Sequence, residues 1–355
     1  QELPLPEGSI QVDLNLASAW NISSDGSTVV GLFWLPPARA HASTWNEAGG
    51  PIDLGSQGHD SRANAVSGDG SVVAGWSAYP TTGAWQPTVW EGGVMTVLLE
   101  ARDVVKHFPL HGGLFGQKDV VHALDGVSFS IEAGEFVALV GESGSGKTTL
   151  ARCILGLAEP TSGSIILEGQ DLTKARGRAL AGFRRRVQPV FQDPYASLDP
   201  RWSIGHTIRE PLDAYGIGTA REREARVTQL LDQVGLTSRF ADRRPHELSG
   251  GQRQRVGIAA ALALEPDLIV ADEPVSALDV SVQAQILNLL SELNQSLGVA
   301  ILLITHDLSV VEHVCDRAVV LYLGRVAEEG RVSALFADPE HPYTSGLMAA
   351  IPYPD

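Results

Sequence analysis

Positive charge and cysteine are both scarce in this chain, and each scarcity excludes a class of protein. The 355 residues include 26 lysines and arginines against 42 acidic residues, which gives a net charge of −16 and a pI of about 5.0. A nucleic-acid-binding face needs basic residues for its phosphate contacts, so nucleic acid is not expected as a partner. The two cysteines, Cys153 and Cys315, lie far apart in apolar segments. They are therefore expected to be core residues in a reducing compartment rather than a disulfide or a metal site.

Long apolar runs are also missing. No run approaches the roughly 18 residues of a transmembrane helix, so we expect a chain that is soluble by itself. The longest runs, residues 256–264 and 299–305, have the length of ordinary core elements. The length of the chain allows two or more domains with buried cores.

One segment, Gly141–Thr149, fits the pattern G-x-x-x-x-G-K-[ST] of a phosphate-binding loop. It follows the apolar run Phe136–Val140, which is predicted to be a buried strand, and a helix is predicted to begin at Thr149. Glycines let backbone N–H groups turn inward, and a helix N-terminus adds partial positive charge. The pattern predicts that the chain binds a nucleoside triphosphate. Lys147 is predicted to contact its β- and γ-phosphates, and the Thr148 hydroxyl to ligate Mg²⁺. The nucleotide-binding residues predicted here are Gly141, Ser143, Gly144, Ser145, Gly146, Lys147, Thr148 and Thr149.

Two further motifs accompany the loop. The apolar run 268–271 ends in Asp272 and Glu273, and a buried parallel strand would deliver both carboxylates to its ligand-binding end. Asp272 is predicted to hold Mg²⁺, and Glu273 to orient or deprotonate the attacking water. The residues Ser249, Gly250, Gly251 and Gln252 precede a predicted helix, 253–264, and suggest a second anion site. The chain thus has two predicted phosphate-binding sites. We expect that the second binds the nucleotide held by another copy.

These motifs in this order resemble the nucleotide-binding subunits of ATP-binding-cassette (ABC) transporters, and the resemblance covers residues 95 to 352. In that family, two subunits enclose two ATP molecules, each between one phosphate loop and the other subunit's Leu-Ser-Gly-Gly-Gln signature. The resemblance implies an α/β fold, a RecA-like P-loop ATPase core, in residues 95–355. A helical subdomain is expected over residues 193–250, and a helix over residues 281–297.

The resemblance also implies roles for four single residues. Gln192 is similar to the glutamine that senses the γ-phosphate and Mg²⁺ and contacts the membrane partner. His306 resembles the histidine that contacts the γ-phosphate. Asp279 resembles the aspartate of the loop that couples the two sites, and Phe108 resembles the aromatic residue that stacks on adenine.

Two segments, 192–201 and 341–347, resemble the ATPases of bacterial oligopeptide and dipeptide (and nickel) importers. The resemblance implies ATP hydrolysis that energises the import of peptides or related small solutes. It also implies a second ABC ATPase subunit (a homo- or heterodimer), transmembrane permease subunits, a solute-binding protein, and a peripheral location at the cytoplasmic face of the membrane. This sequence lacks the cysteine-rich segment of some relatives, so no iron–sulfur cluster is expected.

Residues 1–94 differ in composition from the rest and repeat themselves. Residues 22–31 recur at 66–75, and six of the seven tryptophans precede Met95. The Asp25-Gly26 and Asp69-Gly70 pairs are hairpin signals, and the repeat length is typical of propeller blades. The segment resembles HAF-type extracellular repeats. Two blades cannot close a propeller, so we interpret it as a small all-β repeat segment that is either a ligand- or partner-binding module or a repeat fragment joined to an unrelated ATPase, and we favour the fragment.

Two alternatives to transport remain at this stage. One is a non-transport ABC ATPase of translation or DNA repair, which usually carries two cassettes or a long coiled-coil insertion; this chain has one cassette and an acidic balance. The other is a β-repeat binding module whose ATPase is incidental.

Overall fold

The computed structural model describes residues 17–24, 28–35, 39–46, 50–55, 61–67, 72–78, 85–91, 97–109, 120–193, 195 and 198–350. The chain divides into two compact units, Gln1–Thr96 and Val97–Asp355. The predicted Asp25-Gly26 and Asp69-Gly70 turns, the junction at Met95 and the end of the resemblance at Pro352 lie outside the described residues.

The described residues of the first unit form two antiparallel sheets. Its strands are β1 (Ala17–Ile22), β2 (Thr28–Leu35), β3 (Arg39–Asn46), β4 (Gly50–Gly55), β5 (Ser61–Val66), β6 (Val72–Ala78) and β7 (Trp85–Glu91). Strands β1–β4 form one sheet and β5–β7 the other, each in chain order. A small apolar cluster of Val30, Ala42, Ala63 and Val73 forms the core.

The sequence repeat of this unit is also a repeat of backbone hydrogen bonds. Ser23 N–H donates to the Thr28 carbonyl (2.8 Å), and Thr28 N–H donates back to Ser23 Oγ (2.9 Å). The same two bonds join Ser67 and Val72 at 2.8 and 2.9 Å. A short polar side chain therefore closes the end of the hairpin in both copies. The propeller-blade interpretation stays a prediction.

The second unit has ten strands in its described residues. They are β8 (Val97–Pro109), β9 (Val120–Glu132), β10 (Phe136–Val140), β11 (Ser162–Leu167), β12 (Gln170–Asp171), β13 (Val187–Val190), β14 (Leu268–Asp272), β15 (Ala300–Thr305), β16 (Arg317–Tyr322) and β17 (Arg325–Arg331). One sheet has the order β13-β14-β15-β10-β16-β17 and is parallel except for the edge strand β17. The other, in the order β12-β11-β8-β9, is antiparallel.

The helices of this unit lie between and after the strands. They are α1 (Lys147–Ile154), α2 (Gly177–Arg186), α3 (Ile204–Tyr215), α4 (Ala220–Gln233), α5 (Gly250–Leu262), α6 (Val280–Leu297), α7 (Leu308–Val314), α8 (Val332–Ala337) and α9 (Pro342–Ala349). Strands β10 and β15 are buried along their whole length, as expected of central strands covered on both faces. No helix in the described part of the chain combines the length and apolar character that a membrane crossing requires.

The α/β fold is confirmed, and most predicted elements are in place. The strand at 136–140 has the predicted bounds, and the helix predicted over 281–297 begins one residue earlier. Three helix boundaries differ. Helix α1 begins at Lys147 rather than Thr149, and α5 begins at Gly250 rather than Arg253, because Ser249 caps it. The apolar stripe in residues 221–236 predicts a helix over that range, whereas α4 ends at Gln233, since Gly235 takes a left-handed φ of 71°.

Candidate functional site

The phosphate-binding loop connects the central strand β10 to helix α1, and two of its glycines cannot be replaced without collision. Gly141 and Gly146 have φ values of 151° and 111°, a region that L side chains rarely adopt. A Cβ on Gly141 would lie 2.2 Å from the Leu321 carbonyl oxygen, and one on Gly146 would lie 2.5 Å from that of Ala123. The loop is therefore pressed against the neighbouring backbone, with no room for side chains at these two positions.

Lys147, the first residue of α1, folds back over this loop. Its Nζ donates hydrogen bonds to the carbonyl oxygens of Gly141 (2.6 Å) and Glu142 (2.8 Å). The side chain is buried, and burial lowers its pKa, while Glu273, Asp272 and Glu142 oppose that shift. The ammonium thus lies between the loop and two acidic side chains, where a polyphosphate would add negative charge beside it.

Ser145 supplies a direct test of whether the loop fits a phosphate. Its hydroxyl oxygen is buried and has no hydrogen-bond partner within the described residues, and a buried hydroxyl without a partner is costly. Its carbonyl accepts a hydrogen bond from Gly324 N–H (2.9 Å), so the backbone is fixed. A phosphate oxygen at the loop would satisfy this hydroxyl.

Gln192, Glu273 and His306 come from three neighbouring strand ends. They follow β13, β14 and β15, whose adjacent positions in the sheet bring the three side chains together. Gln192 Nε2 donates to Glu273 Oε2 at 2.8 Å, and His306 Nδ1 lies 3.2 Å from Glu273 Oε1. The Glu273 carboxylate is therefore contacted on both oxygens, and its orientation is fixed. Glu273 was predicted as catalytic from its position after the apolar run 268–271, and Gln192 and His306 from the resemblance; the structure brings the three together.

The backbone at Glu273 is also unusual. Its φ is +45°, a left-handed conformation that costs free energy in a residue other than glycine. Its N–H donates to the Ile304 carbonyl at 2.9 Å, which keeps the residue against β15. Strain of this kind at the end of a strand persists where the surroundings hold the side chain in a required position.

Asp272 and Thr148 form a second cluster beside the loop. Burial, followed by the charge of Glu273, raises the pKa of Asp272, and the nearby Thr148 hydroxyl opposes that shift. Two adjacent carboxylates and a hydroxyl make an oxygen-rich set of the kind that Mg²⁺ prefers. A cation here would relieve the repulsion between the two acids.

The signature segment lies at the start of α5, and its serine acts as a helix cap. Ser249 Oγ accepts from Gln252 N–H (3.3 Å), and Gln252 Oε1 accepts from Ser249 N–H (3.0 Å), a reciprocal capping box. A Cβ on Gly251 would lie 2.4 Å from Val282 Cγ1, and one on Gly250 would lie 3.0 Å from Leu278 Cδ2. Within the described residues, no hydrogen bond or ion pair connects this segment to the phosphate loop.

Asp279 and Phe108 also lie apart from this cluster in the contacts described. Asp279 is the N-cap of α6, where its carbonyl accepts from Val282 N–H (2.8 Å) and Gln283 N–H (2.9 Å). Phe108 lies near the end of β8 with 42% of its surface exposed. An aromatic face accessible to solvent can stack on a base. Its assignment to adenine stays a prediction.

Two contacts at the site were not foreseen. Tyr343, on α9, accepts a hydrogen bond from Glu142 N–H in the phosphate loop at 2.9 Å. Ser276 Oγ accepts from Gln192 Nε2 at 3.3 Å and donates to the Glu273 carbonyl at 3.2 Å. Tyr343 lies in the segment 341–347, and Ser276 lies three residues before Asp279; both stretches were singled out only through the family resemblance. Nothing in the local sequence shows which atoms these two side chains contact.

A glycine loop at the end of a central parallel strand, with carboxylates from the next strands beside its lysine, defines a nucleotide-binding α/β protein. Comparison with known proteins shows which family of nucleotide-binding proteins this chain belongs to. Residues 124–276 match the family model described as ABC transporter.

The chain is 52% identical over 259 residues to a protein of Sinorhizobium fredii named "Probable peptide ABC transporter ATP-binding protein", covering 73% of each chain. It is 50% identical over 257 residues to the oligopeptide transport ATP-binding protein AppF of Bacillus subtilis, covering 72% of this chain and 78% of the relative. A solved dimeric ATP-binding cassette in a post-hydrolysis state, bound to ADP and Pi, is similar with a TM-score of 0.59 and 33% identity. That match covers 66% of this chain and 99% of the other.

This chain belongs to the ABC transporter family. It is one of the family's ATP-binding subunits, an ATPase, and the residues that match the family model lie within the second of the two units described above.

Proposed function

We propose that the chain energises the import of peptides or related small solutes, and that it does so as a dimer with ATP between one copy's phosphate loop and the other's signature segment. The single observation that carries the catalytic part is the Gln192–Glu273–His306 contact set at adjacent strand ends. The peptide class is supported by the names of the relatives in Sinorhizobium and Bacillus.

In this proposal, Glu273 accepts a proton from the attacking water. Gln192 donates to one carboxylate oxygen and His306 lies against the other, so the base is held in one orientation before water arrives. A positioned general base contributes about 10²–10⁴-fold in rate. Lys147 and the inward-facing loop amides stabilise the negative charge of the γ-phosphate as it is transferred.

Thr148, Asp272 and Gln192 are proposed to hold Mg²⁺. Bound there, the ion would neutralise charge on the β- and γ-phosphates. Burial and the adjacent Glu273 raise the pKa of Asp272, and a cation at this position would favour the ionised carboxylate.

Dimerisation follows from the position of the second anion site. The capping box of Ser249 and Gln252 begins a helix whose first turn leaves the N–H groups of Gly250 and Gly251 without an intrahelical partner. In the described residues, this segment makes no bond to its own phosphate loop. We propose that it contacts the γ-phosphate of the nucleotide bound by a second ABC subunit, and that Asp279 couples the two sites. The cassette dimer among the similar structures supports this arrangement.

A groove at the helical subdomain is proposed to receive the permease subunits. Phe191 and Trp202 line this groove, with 46% and 36% of their surfaces exposed. Exposed apolar surface of this kind is typical of protein interaction sites. Gln192 lies beside Phe191, so a cytoplasmic segment of the permease seated here would be next to the catalytic cluster. We place the chain at the cytoplasmic face of the membrane, with a solute-binding protein as the source of cargo.

Uptake of a labelled oligopeptide tests the proposal. A host strain that lacks the gene is compared with strains expressing the parent chain or Lys147→Ala. We expect the parent, and not the variant, to restore uptake. An equal uptake by the strain without the gene and the strain with it would contradict peptide import.

We also propose that residues 1–94 are a separate β-rich repeat segment and residues 95–355 the ATPase domain. The division into two compact units supports this. Full ATPase activity after deletion of residues 1–94 would support it, whereas loss of nucleotide binding in that variant would contradict it.

A further inference from the structure

His107, His122 and Asp125 form a cluster on β8 and β9 that the proposed ATPase reaction does not use. Each offers one metal-binding atom, and these atoms all lie within 4.8 Å of one another. The two imidazole rings are 4.0 Å apart, and His107 Nε2 is 3.9 Å from Asp125 Oδ1. Among the residues that the structure describes, this is the one group of three such side chains.

A β-bulge creates the cluster. His107 pairs directly with His122, so their side chains share one face of the sheet. Residues 122 and 125 would point to opposite faces of a regular strand. The register shifts between Lys106 and His107, where Ala123 is an extra residue in β9. This insertion turns Asp125 to the face that carries both histidines, as bulges do when they re-aim a side chain.

His107 has an unsatisfied polar atom in the cluster. Its Nε2 is buried and has no hydrogen-bond partner within the described part of the chain. A buried ring nitrogen without a partner indicates a missing ligand or water. His122 is exposed on the other side of the cluster, so its ring can turn toward a shared ligand.

Asp125 is prepared as a ligand by Arg325. Arg325 Nη2 and Nε donate to Asp125 Oδ2 at 2.6 and 3.1 Å, which leaves Oδ1 facing His107. Such an outer contact also orients a metal-binding carboxylate.

We propose that His107, His122 and Asp125 bind a divalent transition-metal ion of the Zn²⁺ class. Two imidazoles and a carboxylate suit Zn²⁺, with a fourth position left for water. Donor atoms around tetrahedral Zn²⁺ lie about 3.3 Å apart, since the Zn–N distance is about 2.0 Å, so small rotations of the three side chains, including the exposed His122 ring, complete the set. Mg²⁺ prefers oxygen ligands, which separates this site from the one proposed at Asp272. The ion would clamp β8 to β9 next to Phe108.

Titration of the untagged full chain with ZnCl₂, in the absence of nucleotide and after chelator treatment and dialysis, tests the site. We expect one Zn²⁺ per chain, and a visible absorption band of tetrahedral Co²⁺ when Co²⁺ replaces it. His107→Asn, His122→Asn and Asp125→Asn should each weaken Zn²⁺ binding by at least about tenfold. His313→Asn, a change of an exposed histidine on α7, should bind as the parent does.

The two cysteines do not compete for the metal, because burial raises the pKa of both thiols, that of Cys153 to about 11. As a second measurement, Zn²⁺ should raise the unfolding temperature of the parent and of His313→Asn, and not that of His122→Asn, whose exposed side chain can change without loss of the fold. Equal Zn²⁺ affinity in parent and all three ligand variants, or no tetrahedral Co²⁺ band, would overturn the proposal. Neither readout depends on ATP hydrolysis, so the proposed function is tested separately.

Discussion

Tyr343 Oη accepts a hydrogen bond from the backbone N–H of Glu142 at 2.9 Å, although the two residues are 201 positions apart. Helix α9, near the end of the chain, thereby contacts the phosphate loop. The Tyr343 ring packs on Tyr322, with centroids 4.1 Å apart, and Tyr322 directly follows the Leu321 carbonyl that excludes a side chain at Gly141. The C-terminal elements therefore fix the shape of the loop from outside.

Removal of this hydroxyl should weaken nucleotide binding. In Tyr343→Phe the ring contact with Tyr322 remains, while the Glu142 N–H loses its acceptor, at a cost of about 1 kcal/mol. We expect the KM for ATP to rise roughly fivefold, with a smaller effect on kcat. Tyr322→Phe is the matched control, since it removes a hydroxyl from the other ring. An equal KM in Tyr343→Phe and the parent would show that the contact does not order the loop.

Substitution of the proposed base should separate binding from turnover. Glu273→Gln keeps the size of the side chain and loses the proton acceptor, so ATP should bind with near-parental affinity while kcat falls by about 10²–10⁴-fold. Single-turnover hydrolysis and a fluorescent-ATP titration measure the two effects. Hydrolysis at the parental rate would show that Glu273 is not the base.

The acidic pair should be a source of instability when no cation is bound. Burial and Glu273 raise the pKa of Asp272, so the folded protein holds a proton that the unfolded chain releases, and stability falls as pH rises above about 4, the ordinary Asp value. Asp272→Asn removes this effect and retains an acceptor for Thr148. We expect its unfolding temperature to exceed that of the parent increasingly from acid to neutral pH. ATP hydrolysis should be lost in the same variant. Parallel curves for the two proteins would contradict the assignment.

Gly251 should tolerate a side chain only when its neighbour is reduced. In Gly251→Ala the new Cβ would lie 2.4 Å from Val282 Cγ1, and overpacking of this kind costs about 1–3 kcal/mol. The double variant Gly251→Ala/Val282→Ala should recover part of the lost unfolding free energy, because the colliding methyl group is gone. Urea unfolding of the two single variants and the double variant measures the coupling. Additive losses would mean that the collision is relieved elsewhere.

The parts of the site that follow from local pattern were predictable. The loop at Gly141–Thr149, the strand before it and the acidic pair Asp272–Glu273 are contiguous in sequence, and their chemistry depends on short spacings. Gln192 and His306 could be assigned only through resemblance to a family. Their meeting at Glu273 depends on the sheet order β13-β14-β15, which is set by long-range strand pairing.

Other features could not be predicted because they depend on tertiary register. The start of α5 at Gly250 is an exception, because it follows from the local capping box of Ser249 and Gln252, residues that had been interpreted as an anion site. The approach of Tyr343 to Glu142 needs the C-terminal helix to pack beside β16. The cluster at His107 needs a single-residue bulge in β9, and alternation of side chains in the sequence gives no sign of one.

The most direct test of the dimer at the centre of this account is complementation between two inactive variants. Lys147→Ala removes the loop's cation, and Ser249→Asp keeps the helix cap but opposes a phosphate with a negative charge. Each variant alone should hydrolyse ATP at a small fraction of the parental rate. An equimolar mixture should recover about a quarter of that rate, because half of randomly paired dimers contain one intact composite site of two. A mixture no more active than the sum of its two components would contradict the shared site.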